Sequence, residues 1–129
     1  METMKKNKIM IIDDEPDFLL IVKLNLEKTG NYEILTLSDA REIIAQLHSF
    51  KPDVILLDLL MPQIGGIEAC EMINKDSLGR NIPIIILSAL EKKSDKLMAY
   101  KAGIVDYVIK PVEINELIAK IEKALKFKQ

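Results

Sequence analysis

The chain has 129 residues, which suits one domain with a hydrophobic core and leaves little room for a second. Apolar residues make up 49% of it but tryptophan is absent, so the core must be mainly aliphatic. The formal net charge is −2 and the basic residues are dispersed, which argues against a protein that contacts nucleic acid directly. We therefore expect a single domain over residues 1–129, structured from about residue 8 to 127.

Five short apolar runs predict five β-strands. They cover residues 9–12, 32–36, 54–57, 82–87 and 105–109. The first, third and fourth runs lack polar alternation, which is typical of central strands covered on both faces. The second run is mixed and the fifth is short, so these two suit positions near the edges of a sheet.

The stretches between the runs have helical spacing. The predicted helix boundaries are marked by Pro16 and Gly30 for the first helix, Asp39 with Glu42 as a capping box for the second, Gly65 and Gly66 for the third, and Gly103 for the end of the fourth. In the last helix, Ile114, Leu117, Ile118, Ile121 and Leu125 form an apolar stripe, while Glu113, Lys120, Glu122 and Lys123 face away.

This alternation of strands and helices predicts an α/β fold. Parallel strands joined by right-handed crossovers place helices on both faces of the sheet. In an open sheet of this kind, the functional site lies in the crevice beyond the carboxyl ends of the strands.

Polar side chains follow four of the five predicted strands. They are Asp13 and Asp14, then Asp58, Ser88 and Lys110. Three clustered carboxylates repel one another unless a cation neutralises them, and Mg²⁺ prefers such oxygen ligands. An ammonium and a hydroxyl can bind phosphate oxygens, and an aspartate can attack a phosphoryl group to give an acyl phosphate. The residues therefore predict a site for a divalent cation and a phosphoryl group.

Four segments resemble the motifs of the receiver domains of two-component response regulators. They are residues 11–15, residues 58–62 with Gly66 after them, residues 87–89 and residues 110–111, and the resemblance covers residues 8 to about 127. It implies a flavodoxin-like (βα)5 three-layer sandwich whose parallel strands have the order 2-1-3-4-5. It also implies a phosphoprotein that acts in a two-component phosphorelay and catalyses only its own phosphorylation and dephosphorylation.

The resemblance implies a role for each residue of the site. Asp58 matches the phosphoacceptor, and Asp14, Asp58 and the Leu60 main-chain carbonyl would bind Mg²⁺, with Mn²⁺ as an alternative. Asp13 would act through a metal-bound water. The remaining matches are Ser88 and Lys110 as ligands of the phosphoryl oxygens, Pro111 after a cis peptide bond, and Gly66 as a structural residue that opens the third helix.

Tyr107, three residues before Lys110, has two interpretations. The resemblance implies an aromatic switch that follows Ser88 when Ser88 moves toward the phosphoryl group. Phosphorylation would then alter the surface formed by the fourth helix, fifth strand and fifth helix. The alternative is a tyrosine of an edge strand that packs on the fourth helix.

Leu60 and Leu90 lie two residues beyond Asp58 and Ser88, at positions that vary in the family. As apolar residues they could hinder an attacking water and give a long-lived aspartyl phosphate. The alternative is that they only cover the loops.

Three other residue types have ordinary structural interpretations. Cys70, the only cysteine, is expected to be a buried core residue. His48 is expected to be a helix-end residue near solvent, because no acidic or glycine signature surrounds it in the sequence. A single cysteine forms no internal disulfide, and the first apolar run is too short for a signal peptide or a membrane span, so we expect a cytoplasmic protein without membrane contact. The lysines of the fourth helix, Lys92, Lys93, Lys96 and Lys101, are expected on a solvated face.

Rival functions fit the sequence less well. An aspartate-nucleophile phosphatase would need a second carboxylate at Leu60, and a flavodoxin-like cofactor protein would need a phosphate-binding loop where Asp13, Asp14 and Glu15 would repel phosphate. A receiver-like interaction module that is never phosphorylated stays open, because intact residues do not show that a kinase reaches them.

The sequence indicates only the classes of partner. The resemblance implies a sensor histidine kinase or a phosphotransfer protein upstream, and an effector domain or protein downstream. The chain could be a stand-alone receiver or a piece of a larger regulator, and a phosphorylation-dependent homodimer through the fourth and fifth helices stays open.

Overall fold

The computed structural model describes residues 5–61, 64–89 and 93–126. Its strands are β1 (Asn7–Ile12), β2 (Tyr32–Leu37), β3 (Val54–Asp58), β4 (Ile84–Ser88) and β5 (Asp106–Ile109). Its helices are α1 (Pro16–Glu27), α2 (Ile43–Phe50), α3 (Gly66–Lys75), α4 (Lys93–Lys101) and α5 (Ile114–Lys126), with 3-10 turns at Ala40–Glu42 and Gly79–Asn81. Leu90 and Lys92, and the residues at positions 62 and 127 that end two ranges given above, lie outside the described residues.

The five strands form one parallel sheet in the order β2-β1-β3-β4-β5. This confirms the predicted fold class and strand order. One core contains residues of α2, α3 and α4, and the other contains residues of α1 and α5, so the helices form two layers around the sheet. Within the described ranges, no helix combines the length and the apolar composition needed to cross a membrane.

The central strands are buried on both faces. In β1, Ile9 and Ile11 point into the core with α1 and α5, while Met10 and Ile12 point into the other core. All four side chains are inaccessible to solvent. The uninterrupted apolar runs therefore reflect strands covered by helices on both sides, as expected for a parallel sheet.

Two strands begin later than the apolar runs predict. β4 begins at Ile84 because Ile82 still belongs to the preceding turn, where its N–H donates to the carbonyl of Gly79 at 3.0 Å. β5 begins at Asp106, although the N–H of Val105 already donates to the Ile84 carbonyl at 2.9 Å.

The predicted capping box of the second helix is wrong. The Asp39 carboxylate accepts a hydrogen bond from the N–H of Arg41 at 2.8 Å, and it also accepts from the Arg41 guanidinium. Residues Ala40–Glu42 form a 3-10 turn, and α2 begins only at Ile43. The Asp39 side chain therefore caps the 3-10 turn through Arg41, and Asp39 and Glu42 do not cap α2 reciprocally.

The predicted apolar stripe of α5 is confirmed, with Leu117 and Ile121 fully buried. One residue of the outer face behaves differently. The Lys120 ammonium turns back to the sheet, where it donates to the Tyr107 carbonyl at 2.7 Å and lies 3.4 Å from a carboxylate oxygen of Asp106. The stem of a lysine is long enough to lie along α5 while its charged end pairs with β5.

Gly66 brings α3 close to the end of β3. Its N–H donates to the Leu59 carbonyl at 2.9 Å. A Cβ at this position would lie 2.5 Å from the Leu59 Cα and 2.7 Å from the Asp58 carbonyl oxygen. Both neighbours are backbone atoms, so they cannot rotate away as a side chain can.

We expect Gly66→Ala to destabilise the fold by about 1–3 kcal/mol or more, because the loop after Asp58 must move. Gly65→Ala is the matched control, since nothing lies within 4 Å of its Cβ position. That control should change the free energy of unfolding by less than about 1 kcal/mol. Urea unfolding of both variants measures the difference, and equal effects would contradict the proposed close approach.

Candidate functional site

The carboxyl ends of four strands place polar side chains at one edge of the sheet. Asp58 is the last residue of β3 and Ser88 the last of β4, while Asp13 directly follows β1 and Lys110 directly follows β5. Asp13, Asp58 and Ser88 are 0%, 5% and 1% exposed, and they are the buried polar residues of the described structure. The structure therefore brings together the residues that follow these strands in the sequence.

Three carboxylates form a cluster at this edge. Asp13, Asp14 and Asp58 each offer an oxygen, and these oxygens lie within 4.8 Å of one another. Asp14 is exposed, whereas the other two are buried. Burial, followed by the charge of Asp13, raises the pKa of Asp58 to about 6, and Lys110 offsets part of this rise. The cluster thus holds more negative charge than the local surroundings neutralise.

Lys110 supplies the positive charge of the site. Its Nζ lies 2.8 Å from Asp13 Oδ2, 3.2 Å from Glu15 Oε1 and 4.0 Å from Asp58 Oδ1. Burial acts to lower the pKa of Lys110, but the hydrogen bond and charge of Asp13 outweigh it, so the pKa lies above its usual value. Lys110 therefore stays charged beside the buried carboxylates.

Two contacts of Lys110 were not predicted from the sequence. Besides the ion pair with Glu15, the ammonium lies 4.2 Å from the centre of the Phe18 ring. The N–H of Glu15 also donates to Asp13 Oδ1 at 2.9 Å, which orients the Asp13 carboxylate. Glu15 directly follows the two aspartates, and Phe18 lies about one helical turn later. This helical spacing is the sequence feature that could have predicted that Glu15 and Phe18 lie on the same side of the site.

Ser88 of β4 and Tyr107 of the neighbouring strand β5 are in contact. Their side chains share a hydrogen bond, and Tyr107 is only 6% exposed. Burial raises the pKa of the Tyr107 hydroxyl above its usual value. The Lys96 ammonium of α4 lies 5.3 Å from the centre of the Tyr107 ring. Tyr107 thus packs on α4 and also contacts the site, so the two interpretations of this residue are compatible.

The loops around Asp58 and Lys110 complete the site. The N–H of Leu60 donates to Asp58 Oδ1 at 3.4 Å, and the Leu60 side chain is 58% exposed. The peptide bond between Lys110 and Pro111 is cis, as the resemblance implied.

His48 lies away from this cluster, near a helix end and partly exposed to solvent as expected. It occupies the last turn of α2, yet its Nε2 lies 2.8 Å from Asp76 Oδ2 at the end of α3. The hydrogen bond with His48 is the main cause that lowers the pKa of Asp76 to about 2. Asp76 is 28 residues away in the chain, so local sequence did not reveal this acidic neighbour.

Cys70 is buried in α3, as expected, and burial raises the pKa of its thiol to about 12. A thiol with this pKa is almost entirely protonated at neutral pH, which makes it a poor nucleophile. The cysteine is therefore a core residue and not part of the site.

The sequence matches the response regulator receiver domain family over residues 9–122. The chain belongs to this family. The match includes every residue of the cluster at the sheet edge, from Asp13 to Lys110, so the receiver and its acidic site coincide.

The sequence of a curated relative supports this assignment. The alkaline phosphatase synthesis transcriptional regulatory protein PhoP of Bacillus subtilis is 34% identical over 119 residues, which are 92% of this chain and 48% of the relative. The chain thus spans about half the length of the curated relatives it matches.

Solved structures of receivers are similar over nearly their whole length. A putative response regulator of Chloroflexus aurantiacus has a TM-score of 0.88 and 30% identity, with coverage of 95% of this chain and 99% of that one. The receiver domain of a Pseudomonas aeruginosa sensor histidine kinase has a TM-score of 0.86 and 25% identity, with coverage of 95% and 99%. That structure has a magnesium ion coordinated in its active-site cleft.

The raised pKa of Asp58 predicts that removing its charge stabilises the fold by an amount that depends on pH. Between about pH 4 and pH 6 the folded chain retains a proton that the unfolded chain has lost, so stability falls as pH rises through this window. Without divalent cations, Asp58→Asn should therefore be more stable than the wild type by on the order of 2 kcal/mol at neutral pH, with little difference near pH 4.

Urea unfolding in EDTA across this pH range measures the difference. Glu33→Gln, which alters an exposed carboxylate on β2, serves as the control and should show no such pH dependence. An advantage of Asp58→Asn that grows toward acid pH would contradict the assignment.

Proposed function

We propose that the chain is a phosphorylatable receiver in which Asp58 accepts a phosphoryl group from a histidine kinase, a phosphotransfer protein or a small phosphodonor. The observation that carries this proposal is the convergence of Asp13, Asp58 and Lys110 at one edge of the sheet, with 4.0 Å between Lys110 Nζ and Asp58 Oδ1. The family relationship supports it, because receivers act in two-component signalling.

The carboxylate cluster fits a divalent cation. Its donors are all oxygens, two of the three carboxylates are buried, and the pKa of Asp58 is raised by burial and by the charge of Asp13. We propose that Asp14, Asp58 and the Leu60 main-chain carbonyl hold Mg²⁺, with Asp13 acting through water, and Mn²⁺ would suit the same ligands. When bound, the cation neutralises the carboxylates and the charge of the transferring phosphoryl group. The magnesium ion in the Pseudomonas aeruginosa receiver supports this choice.

Asp58, Lys110 and Ser88 would each have a separate role in the transfer. The ionised Asp58 carboxylate attacks phosphorus: an oxygen–phosphorus bond forms while the bond between phosphorus and the donor's leaving group breaks. With a pKa of about 6, Asp58 is mostly ionised at neutral pH even before a cation binds. Lys110 and Ser88 would then bind phosphoryl oxygens, because a fixed ammonium and a fixed hydroxyl stabilise charge without reorganising.

Phosphorylation would be sensed through the contact between Ser88 and Tyr107. The two side chains share a hydrogen bond, so a phosphoryl group that draws the Ser88 hydroxyl would compete with Tyr107 for it. Tyr107 contacts Lys96 on α4, and Lys120 of α5 is bonded to the Tyr107 carbonyl. These contacts support a two-state change on the surface of α4, β5 and α5.

Exposed apolar side chains support protein partners for either phosphorylation state. Leu20, Ile21 and Leu24 on α1, and Leu97, Met98 and Tyr100 on α4, are all 46–59% exposed. Such surfaces suit a histidine kinase or phosphotransfer protein, an effector domain or protein, or a second receiver in a phosphorylation-dependent homodimer. They equally suit the alternative function, an interaction module that works without phosphorylation.

We further propose that this receiver catalyses only its own phosphorylation and dephosphorylation, and that it contacts neither nucleic acid nor membrane directly. The dispersed basic residues and the net charge of −2 support the first of these exclusions. We also propose a cytoplasmic location, because the single, buried Cys70 forms no internal disulfide.

The central experiment is incubation with acetyl phosphate and Mg²⁺, followed by intact mass measurement. We expect a base-labile adduct with the mass of one phosphoryl group, which requires Mg²⁺ and is absent in Asp58→Asn. Asp17→Asn, an exposed carboxylate in the first turn of α1, should be phosphorylated like the wild type. An adduct that persists in Asp58→Asn would assign the wrong acceptor, and a wild type without an adduct would favour the interaction module.

The exposed Leu60 side chain yields a prediction about the lifetime of the phosphoryl group. Leu60→Asn would place an amide that can orient water beside the phosphorylated carboxylate, so hydrolysis should accelerate by on the order of tenfold. Leu24→Asn, at a leucine of similar exposure on α1, is the control and should leave the half-life unchanged. Loss of radiolabelled phosphate measures both, and equal half-lives would show that Leu60 only covers the loop.

A further inference from the structure

A second recess lies at the end of the sheet opposite the acidic site. It has a volume of about 420 Å³ and lies between the loop before β4, the loop before β5, and α5. β4 and β5 begin beside it, β4 ends at Ser88 and Lys110 directly follows β5, so the recess and the acidic site occupy the two ends of the same strands. None of its lining residues belongs to the acidic site.

The charge of this recess is opposite to that of the acidic site. Arg80, Lys120 and Lys123 line it, together with one carboxylate, Asp106. Lys120 lies 3.4 Å from that carboxylate, and in the described part of the chain neither Arg80 nor Lys123 forms an ion pair. About two positive charges therefore remain uncompensated here, on a chain whose formal net charge is −2.

The rest of the lining is apolar or neutral. Ile82, Pro83, Val105 and Ala124 provide apolar contact area, and Val105 is 51% exposed although it is a large apolar residue. The volume falls within the range of small-molecule sites, which combine apolar walls with a few polar groups. A ligand for this recess should therefore join an anionic group to a compact apolar body.

The walls are held in place by hydrogen bonds. The Ile82 N–H donates to the Gly79 carbonyl at 3.0 Å, and the Val105 N–H donates to the Ile84 carbonyl at 2.9 Å. The Asn74 amide donates to the Ala102 carbonyl beside the recess. Because the backbone is already ordered around the recess, a ligand would not have to order it on binding.

We propose that this recess binds a small organic phosphate, with its phosphate between Arg80 and Lys123 and its apolar part against Pro83 and Val105. A phosphate monoester carries close to two negative charges at neutral pH, which matches the uncompensated charge. The planar guanidinium of Arg80 can form two parallel hydrogen bonds to phosphate oxygens. The proposal does not require phosphorylation of Asp58, so either proposal can fail without the other.

The test is a titration of the isotope-labelled chain with phenyl phosphate, followed by NMR of the backbone amides. EDTA is present so that no cation attracts the probe to the acidic site. Saturable shifts are expected at Ile82, Gly103 and Val105. Saturable shifts centred on Asp13 and Lys110, or an absence of saturable shifts, would overturn the proposal.

Two double variants separate a specific site from general attraction to positive charge. Arg80→Ala with Lys123→Ala should weaken binding by about tenfold or more. Lys6→Ala with Lys101→Ala removes the same charge from exposed positions outside the recess and should bind like the wild type. Equal affinity in the two double variants would overturn the proposal.

Inorganic phosphate serves as a second probe for the apolar part of the ligand. We expect it to bind about tenfold more weakly than phenyl phosphate, since it cannot contact Pro83 or Val105. Equal binding of the two probes would contradict an organic phosphate as the ligand.

Discussion

The contact between Lys110 and Asp13 stabilises an edge of the sheet where carboxylates would otherwise repel one another. It joins the end of β5 to the end of β1, across the two strands that lie between them, with 2.8 Å between the ammonium and Asp13 Oδ2. Both side chains are largely removed from solvent, so the pair is screened little by water or salt. The same ammonium lies 4.0 Å from Asp58 and keeps the pKa of that carboxyl lower than burial alone would place it.

This arrangement leaves the site with more negative than positive charge. One ammonium faces three clustered carboxylates, and it is shared with Glu15 as well. In the function proposed above, a divalent cation would neutralise this excess, and a phosphoryl group would draw Lys110 and Ser88 into new contacts. Because the strands beneath the site are paired and buried, that change would be confined to the loops and to the contact between Ser88 and Tyr107.

The sheet edge could be predicted from the sequence because the carboxyl ends of parallel strands meet there, whatever the details of the helices. Contacts between distant segments could not be predicted. The sequence predicts a solvent-facing Lys120, but its ammonium binds the Tyr107 carbonyl of β5, and His48 of α2 pairs with Asp76 at the end of α3. The capping pattern of Asp39 and Glu42 was wrong because both the backbone N–H and the guanidinium of Arg41 bind the Asp39 carboxylate. These differences all arise from charged side chains with several competing partners, whereas the apolar periodicity that defines the core had one solution.

The most direct test of the central claim is ¹⁹F NMR of beryllofluoride, which mimics a phosphoryl group on a carboxylate. The central claim is that Asp58 and the residues around it form one site for a cation and a phosphoryl group. With Mg²⁺ present, the wild type should show signals of bound fluoride, and these should be absent without Mg²⁺ and in Asp58→Asn. Bound signals that persist in Asp58→Asn, or a folded wild type that shows none with Mg²⁺, would contradict the account.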